Sequence, residues 1–230
     1  CIADLCRQAL EWGGRVIVLA NRKELLQQNA EKIHKLIPNV SLGVYSAGLN
    51  FRHTHHDIIV AGIQSVFRKA AELGSRQLVI PDECHLIPAR DEGMYRTFLS
   101  DLRAAGNEDL RVIGMTATPF RTGEGSLCRA NGVFQGIAYN ADLKGLIAQG
   151  YLCPLTNRPT VAEVKTAGLH TRAGEFVARE VEDLFAPVIR SACQEIVAAT
   201  QDRHSVLIFC TGVSHAEQVA QEIERITGAM

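Results

Sequence analysis

The densest chemistry in the chain lies in Asp82-Glu83-Cys84-His85, two adjacent carboxylates and an imidazole in one short run. An apolar run at 78–80 precedes them directly, so on a buried strand both carboxylates would project beyond its carboxyl end. Ligands of an open parallel sheet bind at that edge. A hard cation such as Mg²⁺ takes one or two carboxylates together with substrate phosphates, which makes Asp82 the candidate metal ligand, directly or through water. Glu83 is placed to orient and deprotonate a water for attack on a terminal phosphate. The plain alternative is an acidic strand end on a solvated loop, because so short a motif often matches by accident. A second group narrows the choice. Met115-Thr116-Ala117-Thr118-Pro119 follows another apolar run, in the sheet position expected to neighbour the Asp82 strand. Hydroxyls there can hydrogen-bond to the carboxylate motif and sense whether phosphate is present.

The elements that must hold these groups follow from hydrophobic spacing. Ile2, Leu5, Cys6, Ala9 and Leu10 recur at helical period, and Gly13-Gly14 ends that helix. Val16-Ile17-Val18-Leu19 is a continuous apolar run, the pattern of a strand buried on both faces. Asn21 reads as the N-cap of the next helix, with Glu24 in the capping-box position and Leu26, Ala30, Ile33 and Ile37 on its apolar face. Further strands are expected at 42–45, 58–61, 78–80 and 112–115, with helices near 64–73 and 92–104. This alternation predicts an α/β fold, a parallel sheet covered by helices on both faces. Beyond Pro119 the pattern loosens. A helix is expected at 143–148 and another near 183–199, then a buried-type strand Val206-Leu207-Ile208-Phe209. A capping box at Ser214 and Glu217 then opens a final helix.

Composition bounds the rest. The 230 residues are 47% hydrophobic and 21% charged, which excludes disorder as the main state. The 24 basic and 25 acidic side chains nearly cancel, so no global positive field draws in nucleic acid, and any such role needs local basic groups and helix N-termini. Seven scattered cysteines without a C-x-x-C pair argue against a disulfide framework or zinc ribbon and fit a reducing, cytoplasmic setting. No apolar run approaches the roughly 18 residues of a membrane span, and no signal peptide opens the chain.

With the blocks laid out in order, the sequence resembles the superfamily 2 helicases and translocases. Asp82-Glu83-Cys84-His85 matches their D-E-x-[HD] motif II, and Thr116-Ala117-Thr118 their [ST]-A-T motif III. The stretch 18–28 is similar to motif Ia, and Ile59-Val60-Ala61-Gly62-Ile63-Gln64-Ser65 to motif Ib in the branch of type III restriction subunits and RadD-like repair helicases. Thr118-Pro119-Phe120-Arg121 and Gly150-Tyr151-Leu152 are phrased as in that branch, and 206–209 with Ser214-His215-Ala216 resembles motif IV. The resemblance implies a RecA-like ATP-binding lobe at 1–160, a connecting segment at 161–203, and the first βα unit of a second RecA-like lobe from 204 to 230. It implies ATP and Mg²⁺ as cofactors, with Asp82 holding the Mg²⁺ and Glu83 activating water. His85, Thr116 and Thr118 would couple nucleotide state to strand binding. Asn21, Arg22, Gly48, Gly62, Gln64 and Ser65 would line a track for a nucleic-acid backbone, DNA favoured over RNA, with repair or restriction partners and no membrane.

The departures from the family pattern are specific. No G-x-x-x-x-G-K-[ST] loop occurs, and motifs V and VI with their arginine finger are missing, so the chain reads as a fragment that hydrolyses ATP poorly by itself. Pro81 stands where an apolar residue is usual. Three readings of the parent stay open besides a DNA helicase: a restriction-type translocase on duplex DNA, an RNA helicase, and a non-catalytic module that binds nucleic acid or a partner. The cluster His53, His55, His56 and Asp57 lacks the spacing of a preformed tetrahedral metal site and reads as a solvated loop. Cys84 reads as a small buried filler.

Overall fold

The computed structural model describes every residue except 89–91, 122–124, 130–131, 155, 158–166, 173–174 and 229–230, so part of the expected connecting segment lies outside the described residues. Two compact units divide the chain, residues 1–142 and 143–230.

The first unit is built on a six-stranded sheet. In chain order its elements are α1 (Ile2–Glu11), β1 (Val16–Ala20), α2 (Lys23–Leu36), β2 (Leu42–Ser46), β3 (Phe51–Arg52), β4 (Ile58–Gly62), α3 (Ile63–Val66), α4 (Ala70–Leu73), β5 (Leu78–Pro81), α5 (Met94–Ala104) and β6 (Arg111–Val112). The strand order is β3-β2-β4-β1-β5-β6. All pairings are parallel except that of the edge strand β3 with β2. Side chains alternate between the faces of a strand, and the core splits accordingly. Ile17, Leu19, Ile59, Ala61 and Val79 face α3, α4 and α5. Val16, Val18, Ala20, Ile58, Val60, Leu78 and Ile80 face α1 and α2. Strands β1 and β4 are buried along their whole length, which is why they read as unbroken apolar runs.

The expected strand at 112–115 is short as a strand but keeps its ladder. Ile113 N–H donates to the Val79 carbonyl at 3.0 Å and Met115 N–H to the Pro81 carbonyl at 2.9 Å. Pro81 interrupts little, because Asp82 N–H donates to the Leu19 carbonyl at 2.8 Å immediately beyond it. Asn21 does not cap α2 as expected. Arg22 occupies the cap position without a side-chain bond, and the Asn21 carboxamide oxygen instead accepts the Tyr95 hydroxyl at 2.5 Å. A tertiary partner has displaced a local one.

Beneath the sheet's amino edge, Arg76 is wholly buried. Its guanidinium donates to the carbonyls of Leu73 at 2.9 Å, His56 at 2.7 Å, Asp57 at 3.2 Å and Thr54 at 2.8 Å. Burial, with Arg15 nearby, lowers its pKa to about 10, against a smaller upward pull from Asp57. The clamp fixes the loop that carries the histidines. There His53 Nδ1 accepts from Val44 N–H at 3.1 Å, and among the described residues no group of three or more such side chains is arranged to hold a metal.

The second unit contains α6 (Leu143–Ala148), a hairpin of Thr171–Arg172 with Glu175–Phe176, α7 (Ala178–Phe185), α8 (Ile189–Ala199) and α9 (Val213–Thr227). The helix expected at 183–199 is two helices, because Pro187 falls in a 3₁₀ turn (Ala186–Val188) between them. Helices α8 and α9 pack together, with Cys193 buried and its sulfur 4.0 Å from the Val219 carbonyl. The predicted strand at 206–209 does not form. Leu207 and Phe209 are 78% and 89% exposed, and among the described residues this run pairs with no strand. An apolar run supplies the surface for a buried strand, yet a strand exists only against a neighbour that takes its N–H and C=O groups. Nor does Ser214 cap α9. The helix opens two residues earlier, capped by Gly212, and the Ser214 hydroxyl accepts from the Gln218 amide at 3.3 Å.

Candidate functional site

The predicted site residues of the first unit all fall at the carboxyl edge of the parallel sheet. Asp82 follows β5, Thr116 follows the β6 ladder, Asn21 and Arg22 follow β1, Gly62 closes β4 and Gly48 follows β2. Strands β5 and β6 are neighbours, so the acidic pair and the hydroxyl pair meet. His85 Nδ1 lies 2.9 Å from Thr116 Oγ1 and 3.3 Å from Glu83 Oε2. Thr118 N–H donates to Thr116 Oγ1 at 3.0 Å, and the Thr116 hydroxyl donates to the Thr118 carbonyl at 3.3 Å. One ring nitrogen of His85 thus links the acidic pair to the threonine loop. Cys84 is buried, and its N–H donates to the Met115 carbonyl at 2.9 Å, which stitches the two loops at the backbone.

Glu83 adopts the left-handed conformation (φ 51°, ψ 49°), uncommon for a residue with a side chain. Its N–H points back at the preceding side chain and donates to Asp82 Oδ1 at 3.1 Å. The other oxygen, Asp82 Oδ2, accepts the Asn29 amide at 2.8 Å. Two neutral donors fix the carboxylate without cancelling its charge, and among the described residues no lysine or arginine pairs with Asp82 or Glu83. A half-exposed, oriented and unneutralised carboxylate at a strand tip is a donor that fits a hard cation.

The second half of the edge is also connected. Gln64 Nε2 donates to the Asn21 carbonyl at 3.3 Å. The Ser65 hydroxyl accepts Ala47 N–H at 2.9 Å, next to Gly48. Arg22 is exposed at the start of α2, and Gly62 is buried with Leu26 Cδ1 3.5 Å from where its Cβ would stand. Tyr95, on α5, joins the two halves through Asn21, and burial, with Cys84 and Asp82 adding, pushes its phenol up from its ordinary value.

Two residues of this constellation were not legible as site residues, Asn29 and Tyr95. For Asn29 a signal existed. It lies three residues after Leu26 and four before Ile33, both buried, so it is a polar residue inside the apolar stripe of α2. Tyr95 is one aromatic among the buried positions of α5 and carries no such mark.

The model of the type III restriction enzyme, res subunit, family matches residues 1–121, more than half of the chain and all of the edge just described. The chain belongs to that family. No protein of curated function is significantly similar to this res-subunit chain in sequence. Among solved structures it is similar to the UvsW helicase of bacteriophage T4, at 20% identity and a TM-score of 0.41 over 51% of this chain and 42% of that chain. It is also similar to the E. coli DExH-box NTPase HrpB, at 17% identity and a TM-score of 0.50 over 96% of this chain and 24% of that chain. At such identities the likeness to HrpB speaks for the fold alone, a mostly parallel α/β sheet. The res-subunit chain spans less than half the length of either. Among the described residues, no helix is long and apolar enough to cross a membrane.

Proposed function

We propose that this chain is a motor-lobe segment of an ATP-dependent DNA helicase or translocase, in which hydrolysis of Mg-ATP drives movement along nucleic acid. The observation that carries the reading is the bonded cluster at two neighbouring strand tips, in which His85 joins Glu83 to Thr116 and Thr118 beside the oriented carboxylate of Asp82. In this reading Asp82 holds the Mg²⁺, which when bound offsets the charge of the phosphate oxygens. Glu83 takes the proton of the attacking water. His85 passes a change at Glu83 to the Thr116–Thr118 loop, because one ring nitrogen serves both. Arg22 and the amides opening α2 meet a backbone phosphate, and Gly48, Gly62, Gln64 and Ser65 continue the track without reading sequence.

The 230 residues hold no G-x-x-x-x-G-K-[ST] loop, so these residues alone are expected to hydrolyse ATP at background level. The family assignment favours a second reading, a translocase on duplex DNA that does not separate strands. Both readings are tested by fluorescence anisotropy with single-stranded DNA, duplex DNA and RNA of unrelated sequences. The proposal expects binding that ignores sequence, weakens steeply with salt and falls several-fold in Arg22→Ala. Preference for duplex selects the second reading, and preference for RNA moves the substrate class. Absence of binding, or binding indifferent to Arg22 and salt, overturns the track.

A further inference from the structure

The hydrogen bond from Asn29 Nδ2 to Asp82 Oδ2, at 2.8 Å, joins helix α2 to the candidate metal ligand. The same helix opens on Arg22, and Asn29 stands seven residues further along it, two turns from the end that meets phosphate in the function proposed above. Between them Leu26 is buried, and beyond them Ile33 is buried, so the segment is held against the sheet on both sides of Asn29. Its amino end is gripped as well. The residue before the cap, Asn21, gives its carbonyl to Gln64 and its side chain to Tyr95. A hydrogen-bonded helix moves as a rod, so a displacement at its first turn is delivered two turns along at nearly full size.

We propose that Asn29 is the positioning residue of the Asp82 carboxylate, and that through it helix α2 couples occupancy of the phosphate track to cation affinity at Asp82. The chemistry of the donor suits that role. An amide orients one carboxylate oxygen while leaving the negative charge for the cation, whereas lysine or arginine at 29 would compete with it. The second oxygen is fixed by Glu83 N–H, so losing the Asn29 bond leaves the carboxylate free to turn about its one remaining tether. By linkage the coupling is reciprocal: nucleic acid tightens the cation and the cation tightens nucleic acid by the same factor.

The inference rests on the function proposed above, and one experiment separates the two. Mg²⁺ is titrated into the 230-residue chain with and without a saturating single-stranded oligonucleotide, and the backbone amide shifts at 82–84 report the dissociation constant. The unaltered chain is expected to bind Mg²⁺ weakly, in a manner lost in Asp82→Asn, and more tightly with DNA present. Asn29→Leu, of similar volume and without a donor, should weaken Mg²⁺ roughly tenfold and remove the DNA effect, while leaving DNA affinity measured without Mg²⁺ unchanged. Asn29→Gln, which keeps the amide on a longer arm, should recover part of the response, a rescue that a purely structural role for position 29 does not explain. If the amides ignore Mg²⁺, or respond alike in Asp82→Asn, the metal assignment fails and the inference with it. If Asp82-dependent binding persists and Asn29→Leu binds Mg²⁺ with the constants of the unaltered chain, both without DNA and with it, the inference alone is overturned.

Discussion

Glu83 carries a backbone cost that substitution can expose. For residues with a Cβ the left-handed conformation is less favourable by roughly 1–2 kcal/mol, and Glu83 holds it at φ 51°, ψ 49°. Replacing Glu83 by Ala keeps that cost and removes the side chain. Replacing it by Gly removes both, at the expense of about 0.4–1 kcal/mol of extra freedom in the unfolded chain. Glu83→Gly should therefore be more stable than Glu83→Ala by about 0.6–1 kcal/mol, the difference between like ends of those two ranges. At roughly 2–4 °C per kcal/mol for a domain of about 150 residues, the glycine variant melts about 1–4 °C higher. The comparison cancels the contact with His85, which both variants lack. An exposed position inside α2 supplies the control. At Gln27 the same Ala-to-Gly step should lower stability by about 1 kcal/mol, the ordinary helix-interior result. The assay is thermal unfolding followed by circular dichroism. A glycine variant at 83 that melts at or below the alanine variant would falsify the claim that this backbone is strained.

Two further outcomes follow from buried groups away from the carboxylates. Arg76→Met removes four bonds to carbonyls but also relieves a buried charge, leaving a net loss of about 3 kcal/mol; Arg76→Lys should fall between, and a loss below about 1 kcal/mol in urea unfolding would show the clamp to be idle. The Tyr95 phenol keeps its proton more firmly folded than unfolded, so its contribution is present below its unfolded value of about 10 and is lost as pH rises above it. The melting-temperature advantage of the unaltered protein over Tyr95→Phe should shrink between pH 8 and pH 10.5, and an advantage that stays constant or grows contradicts the assignment.

The sheet was legible in the sequence because its inner strands are buried on both faces, which forces unbroken runs such as 16–19 and 58–61 that few other structures allow. The acidic pair and the threonines were legible as chemistry because chain order placed them just past such runs. What was not legible depended on partners distant in sequence. Asn21 has the residue type of an N-cap, yet its oxygen is taken by Tyr95, 74 residues away. Asn29 marks its own importance by interrupting an apolar stripe, but nothing local says that Asp82, 53 residues on, is what it meets. The run at 206–209 misleads for the same reason in reverse, having the composition of a buried strand without a strand to pair with among the described residues.

The charge arrangement at the edge argues for a cation more strongly than the motif does. Carboxylates that serve only to stabilise a fold are normally met by a lysine, an arginine or a helix N-terminus, since an unpaired charge gains nothing from partial burial. Some exposed acidic side chains of this unit are met in that way, Asp4 and Glu11 by Arg7, Glu72 by Lys69 and Asp57 by Arg15; Asp82 and Glu83 are not. They sit side by side at a strand tip, oriented by an amide, a backbone N–H and an imidazole, with no lysine or arginine against them among the described residues. In the proposed reading a cation arriving during function would offset the charge of both. That reasoning is local and needs no resemblance. It predicts that Asp82→Asn, which removes one of the two charges and one of the two acceptors used by Asn29 and Glu83 N–H, costs the metal-free fold no more than about 1 kcal/mol for the lost hydrogen bond while abolishing Mg²⁺ binding; a loss of metal-free stability above about 2 kcal/mol would mean that the carboxylate is there for the fold instead.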